Sequence, residues 1–318
     1  MRVRMAALAV PFLLLGLSTT SAAVPAIPGN PVEMTDGFYA DPDSNPAVWV
    51  RDHAGDPRAE AIRTRIAEKP GARWFGDWSG DIASDVSGYV DAADAADKLP
   101  VLVTYNIPGR DCGGHSGGGA GSPEAYRTWI SDFAAAVGDK PAVVVIEPDA
   151  LAQLDCMPED QRRIRLDLLS FAAAQLAEKA PNTWAYMDGG NATWVDAPEM
   201  ARRLKEIGVD RIRGFALNVS NYYTTEESVA KGNAIKEALG GRSAFLVDSS
   251  RNGNGAAPDG EWCNPGGRKL GVPSQVGGGA DLLVWGKVPG DSDGDCGIGQ
   301  GVPAGTFSPD LAMSLITG

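Results

Sequence analysis

Short apolar segments recur along the chain and alternate with longer segments in which apolar residues follow a helical period. Several short segments, such as VLVTYNI and AVVVIE, are almost wholly apolar, as is typical of parallel strands that are buried on both faces. The pattern predicts seven strands, at residues 72–78, 99–107, 142–148, 183–188, 213–220, 243–249 and 281–288.

Helical patterns lie between most of these strands. They predict helices over residues 58–69, 81–98, 123–137, 159–180, 198–207 and 226–239. Alternation of strands and helices implies a parallel sheet with right-handed crossovers. Because no nucleotide-binding glycine fingerprint accompanies the seven strands, we expect an α/β barrel of the TIM type rather than an open sheet.

Acidic residues follow the ends of several predicted strands. They are Asp111, Asp149, Asp188, Asp248, Asp291 and Asp293. The active sites of α/β barrels lie at the carboxyl-terminal ends of the strands, so these carboxyls should meet. His53 and His115 are the only histidines, although most hydrolases that work at neutral pH depend on histidine or on a metal. A rim of carboxyls without histidine favours the chemistry of glycoside hydrolysis.

The first 23 residues have the composition of a secretory signal peptide. Arg2 and Arg4 precede an apolar run over residues 5–17, and small residues follow as far as Ala23. The apolar run is short for a membrane span, and Pro11 interrupts it. We therefore expect cleavage near Ala23 and a secreted, extracellular protein that is not anchored in a membrane.

Acidic groups outnumber basic groups. The chain has 28 Lys and Arg residues against 41 Asp and Glu residues, which gives a formal net charge of −13. Nucleic acid and anionic membranes are unfavourable partners for such a surface, whereas a neutral polymer is compatible with it. No repeat and no linker-like segment interrupts residues 24–318, so we expect one catalytic domain and a monomer.

Four cysteines occur in this chain, which we predict to be exported, namely Cys112, Cys156, Cys263 and Cys296. Disulfides are the normal state of such cysteines, and four cysteines allow three pairings. Cys112 and Cys156 each follow one of two consecutive predicted strands at the same rim. We therefore favour Cys112–Cys156, which leaves Cys263–Cys296. None of the spacings is typical of zinc, and we expect no metal.

One motif resembles the nucleophile elbow of a serine esterase. Residues 114–118 read GHSGG, which fits G-x-S-x-G, but the esterase fold needs a histidine after the serine in the chain. Both histidines precede Ser116, so a serine esterase is disfavoured. We expect residues 113–121 to be a mobile, glycine-rich lid beside the site.

Tryptophans lie in the same segments as the carboxyls. They are Trp74, Trp78, Trp194, Trp262 and Trp285. A buried position in the core would explain any one of them. Several tryptophans beside acids and asparagines favour sugar-stacking platforms, because the C–H faces of a pyranose pack well on aromatic rings.

Six segments together resemble glycoside hydrolase family 6, the cellulases of bacteria and fungi. They read YNIPGRDCGGHSGGGA, VVVIEPDALAQLDC, GFALNVSNYYTT, DSSRNGNG, EWCNPGGRKLG and WGKVPGDSDGDC, and the similarity runs from about Phe38 to Phe307. The resemblance implies a distorted seven-stranded α/β barrel that hydrolyses β-1,4-glucan with inversion at the anomeric carbon. It implies neither a metal nor an organic cofactor.

The resemblance also implies roles for individual residues. Asp149 corresponds to the general acid, and Asp111 to the acid that modulates it and passes on a proton from water. Tyr105 corresponds to the tyrosine beneath the reacting sugar, Asp293 to a candidate base or charge-stabilising carboxylate, and Asp188 to an acid that influences the site. The positions that match substrate-binding residues are Trp74, Arg110, Asn191, Trp194, Asn221, Trp262 and Lys287.

Two positions depart from the family pattern. The segment after the fourth strand usually reads D-x-G-H, whereas this chain ends the motif with Asn191, whose side chain cannot carry a proton. Gly286 replaces a larger residue before Lys287, which we expect to remove a packing side chain. Both departures should affect the binding of substrate more than the chemistry.

The intervals between the motifs are short. Only 37 residues separate Asp111 from Asp149, and 41 separate Arg251 from Asp293. Exo-acting members of the family cover the site with long loops in these places, so the resemblance implies an open cleft and an endo-β-1,4-glucanase. We expect no carbohydrate-binding module. The alternatives are an exo-acting cellobiohydrolase and a non-catalytic or weakly active glucan-binding protein on the same scaffold.

Overall fold

A curved, mostly parallel sheet forms the centre of the fold in the computed structural model, which describes residues 29–318. The predicted signal peptide, residues 1–23, lies outside the described residues. The strands are β1 (Arg73–Phe75), β2 (Val101–Thr104), β3 (Ala142–Ile146), β4 (Thr183–Asp188), β5 (Gly214–Leu217), β6 (Ala244–Asp248), β7 (Gln275–Val276) and β8 (Leu282–Val284). Their order is β1-β2-β3-β4-β5-β6-β8-β7, and all neighbours are parallel except the antiparallel pair β7 and β8.

The helices pack around this sheet. They are α1 (Asn45–Asp52), α2 (Ala59–Ile62), α3 (Ile82–Ala95), α4 (Pro123–Val137), α5 (Glu159–Lys179), α6 (Ala197–Glu206), α7 (Thr225–Ala238) and α8 (Pro309–Thr317), with a π-helical turn after α2. Side chains such as Asp81, Ser122 and Thr224 cap the first turns by accepting backbone hydrogen bonds. Within residues 29–318, no helix combines the length and the apolar character that crossing a bilayer requires.

Alternate side chains of the parallel strands enter two different apolar cores. Val101, Val103 and Val143 belong to a core made by the sheet itself. Leu102 and Val144 belong to a larger core that the sheet shares with the helices. Successive side chains of a strand point to opposite faces, so the parallel strands are buried on both sides. This explains why the strands are almost continuously apolar in the sequence.

All seven predicted parallel strands and all six predicted helices are present. The pattern missed α1, α8 and the two-residue exposed strand β7, which is too short to produce a periodic signal. It also extended several strands too far. Asn106 and Ile107 are buried like strand residues, but their N–H groups donate to the Glu147 carboxylate instead of to a neighbouring strand.

The first and last parallel strands approach each other without forming a ladder among the described residues. The Ala72 N–H donates to the Trp285 carbonyl at 2.8 Å, and Trp74 Nε1 donates to the Gly286 carbonyl at 2.7 Å. The barrel is therefore distorted at this seam. A cleft of about 700 Å³ lies here, and Trp74, Trp285 and Lys287 contribute to its lining.

Two disulfides hold the loops at the carboxyl-terminal ends of the strands. Cys112–Cys156 joins the loops after β2 and β3, and Cys263–Cys296 joins the loops after β6 and β8. These are the pairings favoured from the sequence. Each disulfide restricts loops that also carry predicted site residues.

Candidate active site

The ends of the parallel strands bring the predicted acids to one rim of the barrel. Asp111 follows β2, Asp149 follows β3, Asp188 ends β4 and Asp293 follows β8. The charges of Asp111 and Asp293 both act on the carboxyl of Asp149. These acids therefore form a single electrostatic site.

Asp188 holds the backbone that carries Asp149. Its Oδ2 atom accepts hydrogen bonds from the N–H groups of Asp149 at 2.9 Å and Gly190 at 3.0 Å, and the residue is 1% exposed. Asp149 has a φ of +70°, a conformation that non-glycine residues keep only when their surroundings hold them. The geometry of Asp188 suits positioning of Asp149 rather than contact with a ligand.

Asp149 has an unusually basic carboxylate. Burial and the charges of Asp111 and Asp293 raise the pKa of Asp149 to about 7, although the Lys287 ammonium opposes this shift. An unperturbed aspartic acid has a pKa of about 3.9. Asp149 therefore keeps its proton in mildly acidic solution and can act as a proton donor.

Asp111 lies at the start of the glycine-rich loop after β2. Its Oδ2 atom accepts a hydrogen bond from the Ser116 N–H at 2.7 Å, and its Oδ1 atom accepts one from Gln153 Nε2 at 3.4 Å. Asp111 and Cys112 have φ values of +54° and +47°. The disulfide to Cys156 anchors this strained turn beside the loop that carries Asp149.

Asp293 is surrounded by hydrogen-bond donors from other loops. Its Oδ2 atom accepts from Arg251 at 2.9 Å, from the Tyr222 hydroxyl at 3.0 Å and from the Asn264 N–H at 3.1 Å. Lys287 Nζ lies 3.5 Å from Oδ1. Burial by itself would raise the pKa of Asp293, but the charges of Arg251 and Lys287 outweigh it and lower the pKa. Asp293 therefore remains ionised and is a weak proton acceptor.

Aromatic and cationic side chains form one wall of the cleft around Tyr105. The Trp74 ring meets the Tyr105 ring edge-on, with centroids 5.2 Å apart. The Arg110 guanidinium lies 5.1 Å from the Tyr105 centroid and forms an ion pair with Asp77 at 2.8 Å. Burial raises the pKa of Tyr105 above its ordinary value. The wall therefore offers apolar ring surface beside a neutral hydroxyl.

Asp248, at the end of β6, has a structural task that its place in the sequence did not reveal. Its two carboxylate oxygens accept backbone hydrogen bonds from Ser220, Ser250, Gly286 and Lys287 at 2.8–3.1 Å. A Cβ atom on residue 286 would lie 2.9 Å from Asp248 Oδ2. The glycine at position 286 therefore allows Asp248 to bind this loop. The expectation that Gly286 affects the binding of substrate stays a prediction.

Asn191 and Asn221, both predicted to bind substrate, bind each other. Asn191 Nδ2 donates to Asn221 Oδ1 at 3.1 Å, and Asn191 Oδ1 accepts from the N–H groups of Thr193 and Trp194, both at 3.1 Å. Asn191 thus fixes the turn that presents Trp194, whose side chain is 41% exposed. Asn191, which replaces the histidine of the family pattern, therefore stabilises the loop after β4.

Glu147 is a buried acid that the sequence reasoning did not single out. Its carboxylate accepts hydrogen bonds from the N–H groups of Asn106 and Ile107 and from the Tyr126 hydroxyl, which lies at 3.0 Å. It therefore binds the segment after β2 to the end of β3, next to Asp149. Its signal in the sequence was a charged residue directly after an apolar strand.

The glycine-rich loop reaches the loops after β6 and β8 through His115. The His115 ring lies 6.2 Å from the exposed Trp262 ring, and a Cβ atom on Gly294 would come within 2.5 Å of His115 Cβ. His115 also lies beside the sulfurs of Cys263 and Cys296, which are bonded to each other and so cannot act as thiolate ligands of a metal. The short intervals between the motifs gave no indication of this contact across the loops.

The twelve predicted catalytic and substrate-binding residues all lie in a strand or in a loop that follows one at this rim. Trp194 and Trp262 have the most exposed side chains of the twelve. Three residues that hydrogen-bond to Asp293 were not predicted from the sequence, namely Arg251, Tyr222 and Asn264. Their signal in the sequence was a basic residue, Arg251, two positions after a predicted strand.

The chain is similar to known proteins along most of its length. Residues 34–317 match the family model "Glycosyl hydrolases family 6". Endoglucanase 1 of Streptomyces halstedii is 52% identical over 94% of this chain and 94% of its own length. Endoglucanase A of Cellulomonas fimi is 42% identical over 88% of this chain and 61% of its own length. Relatives that are named exoglucanases also match, at 31% identity or less.

A solved structure extends the similarity to the fold. It is the endoglucanase Cel6 from Mycobacterium tuberculosis in complex with methyl-cellobiosyl-4-deoxy-4-thio-β-D-cellobioside. The two folds agree with a TM-score of 0.84 at 41% identity, covering 91% of this chain and 99% of the other. With a family match over residues 34–317, this similarity shows that the chain belongs to glycosyl hydrolases family 6 and is a glycoside hydrolase.

Proposed function

We propose that the protein is a secreted endo-β-1,4-glucanase that inverts the anomeric carbon and uses Asp149 as its general acid. The observation that carries this proposal is the opposite shift of two neighbouring carboxyls. Burial raises the pKa of Asp149 to about 7, whereas Arg251 and Lys287 lower the pKa of Asp293. Environments that separate two carboxyls in this way assign one as the acid and the other as the charged partner.

In the reaction, Asp149 donates its proton to the oxygen of the leaving sugar. Positive charge develops at the anomeric carbon of the sugar above Tyr105, and the ionised Asp293 stabilises that charge. Because the carboxylate of Asp293 is held by Arg251 and Lys287, it is poorly suited to removing a proton from water. A water molecule attacks the anomeric carbon as the bond to the leaving oxygen breaks, and Asp111 takes part in relaying the proton of this water to solvent.

The aromatic side chains and the cleft support a glucan as substrate. Trp74 and Tyr105 line the cleft, and Trp194 and Trp262 present exposed rings in the loops after β4 and β6. The similar solved endoglucanase binds a thio-linked cello-oligosaccharide. A chain of β-1,4-linked glucose units is the polymer that such a row of platforms fits.

Cleavage at internal bonds is the finer part of the proposal. The relatives at 52% and 42% identity are named endoglucanases. The loop tip at His115 must separate from Gly294 and Trp262 if an internal stretch of polymer is to enter. The glycines at residues 113, 114, 117, 118 and 119 give this loop the required freedom. An exo-acting cellobiohydrolase remains the alternative if the loop stays closed.

Viscometry of carboxymethylcellulose, with reducing ends measured in parallel, tests the proposal. An endo-acting enzyme lowers the viscosity steeply while few reducing ends appear. The Asp149→Asn variant serves as the inactive control, because an asparagine cannot supply the proton. A slow fall in viscosity with cellobiose as nearly the sole early product would identify an exo-acting enzyme. No release of reducing ends would point to a glucan-binding protein.

A further inference from the structure

Trp78 is an exposed tryptophan in the cleft to which the proposed function assigns no role. Trp78 lies in the segment after β1, lines the same cleft as Trp74 and Tyr105, and is 55% exposed. Its exposure exceeds that of Trp194 and Trp262, at 41% and 53%. A large apolar ring exposed inside a ligand cleft loses unfavourable contact with water when a ligand covers it.

The structure around Trp78 holds the indole in place. The Arg110 guanidinium, itself 7% exposed, lies 5.0 Å from the Trp78 centroid and 5.1 Å from the Tyr105 centroid. Arg110 is fixed in turn by Asp77 and by the Ser116 carbonyl, both at 2.8 Å. The cation therefore joins the Trp78 ring to the residue beneath the proposed reacting sugar.

The backbone before Trp78 leaves space for the indole ring. A Cβ atom on Gly76 would lie 2.4 Å from Trp78 Cζ3 and 2.7 Å from the Tyr105 carbonyl, so only a glycine allows the indole to pack against this turn. The Ser79 hydroxyl accepts a hydrogen bond from the Gly76 N–H at 3.0 Å and closes the turn. A preorganised ring binds a ligand without losing conformational freedom.

We propose that Trp78 forms an additional sugar-binding subsite on the glycone side of the cleft, for the glucosyl unit beyond those at Tyr105 and Trp74. The proposal rests on the proposed glucanase function. Asp149 is proposed to protonate the leaving sugar, so the leaving sugars lie on the side of β3 and β4, which precede Asp149 and Trp194. Trp78 follows β1, which lies on the other side of β2 and Tyr105. This order places Trp78 on the glycone side. Stacking on the free part of the indole is the interaction that this subsite offers.

The test compares two substrates that differ by one glycone sugar, 2,4-dinitrophenyl β-cellobioside and 2,4-dinitrophenyl β-cellotrioside. In Trp78→Ala we expect the ratio of kcat/KM for the cellotrioside to that for the cellobioside to fall by about tenfold, as for the loss of one aromatic contact. Trp78→Phe should keep most of the ratio. Ile164→Ala, which removes an exposed apolar side chain on α5, should leave the ratio unchanged.

An unchanged ratio in Trp78→Ala would overturn the proposal, even if both rates fell together, because an equal loss would mean that only Arg110 had been disturbed. Trp78→Leu adds a check, since leucine still covers Arg110 but lacks the ring and should behave like alanine.

Calorimetry provides a readout without turnover. In an Asp149→Asn background, the advantage of cellotriose over cellobiose in affinity should disappear with Trp78→Ala. If the wild-type protein hydrolyses no glucan, the proposed function is wrong, and the binding comparison still decides whether the subsite exists.

Discussion

The pKa of Asp149 makes a quantitative prediction about the dependence of the reaction on pH. With a pKa of about 7, about nine-tenths of Asp149 is protonated at pH 6 and about one-tenth at pH 8. The kcat/KM for a cello-oligosaccharide, whose leaving oxygen needs that proton, should therefore fall about tenfold across this interval. On 2,4-dinitrophenyl β-cellobioside, whose leaving group departs without a proton, the fall should be absent.

Two substitutions should move the alkaline limb of this profile in opposite directions. Asp111→Asn removes a negative charge that raises the pKa of Asp149, so the limb should move to lower pH. Lys287→Met removes a positive charge that lowers this pKa, so the limb should move to higher pH. Each shift should be on the order of one to three pH units, the range that one charge close to a carboxyl produces.

Asp291 supplies the necessary control. Burial raises its pKa to about 7 as well, and its carboxylate accepts a hydrogen bond from Asn45 Nδ2 at 2.9 Å. Asp291→Asn should leave the limb in place if Asp149 is the titrating acid. The assignment would be refuted if Asp291→Asn abolished the limb, or if Asp111→Asn and Lys287→Met moved it in the same direction.

Three further predictions concern the product and the framework of the site. Proton NMR of the first product from cellotetraose should show the α-anomer before mutarotation, and initial β-anomer would exclude inversion. Arg251→Met should lower the free energy of unfolding by about 3–5 kcal/mol in urea titrations, since it takes away a buried partner of Asp293. The surface variant Arg202→Met should cost about 1 kcal/mol or less, and similar losses in both would contradict the buried pair. Replacing Cys112 and Cys156 by serine should cost about 2–5 kcal/mol, and no loss would mean that the disulfide restricts little.

The architecture was predictable because strands that are buried on both faces have almost continuously apolar sequences. Val143, Val144 and Val145 are apolar in succession since each lies in one of the two cores on either side of the sheet. The position of the acids was predictable for a related reason. Parallel strands joined by right-handed crossovers end at one rim, so a polar residue after each apolar run must lie there.

The contacts that set the chemistry of the acids were not predictable in this way. Arg251, Tyr222 and Asn264 come from three different loops, and their meeting at Asp293 depends on loop conformations that have no periodic signal. Asp149 itself adopts a positive φ, for which a hydrophobic pattern gives no indication. The resemblance to the family predicts roles for the acids, but their individual environments had to come from the structure.

The difference between Asp149 and Asp293 arises from their partners rather than from their depth. Burial raises the pKa of both carboxyls, so depth alone would make two neutral acids. Lys287 acts on both, whereas Arg251 bonds Asp293 directly. The buried Arg251 is itself fixed by the Ser220 carbonyl and the Tyr222 ring. It therefore stays with Asp293 and does not move to the Asp149 carboxylate when Asp149 loses its proton. The site thus favours a proton on Asp149 and a negative charge on Asp293, and the proposed hydrolysis needs the two carboxyls to differ in this way.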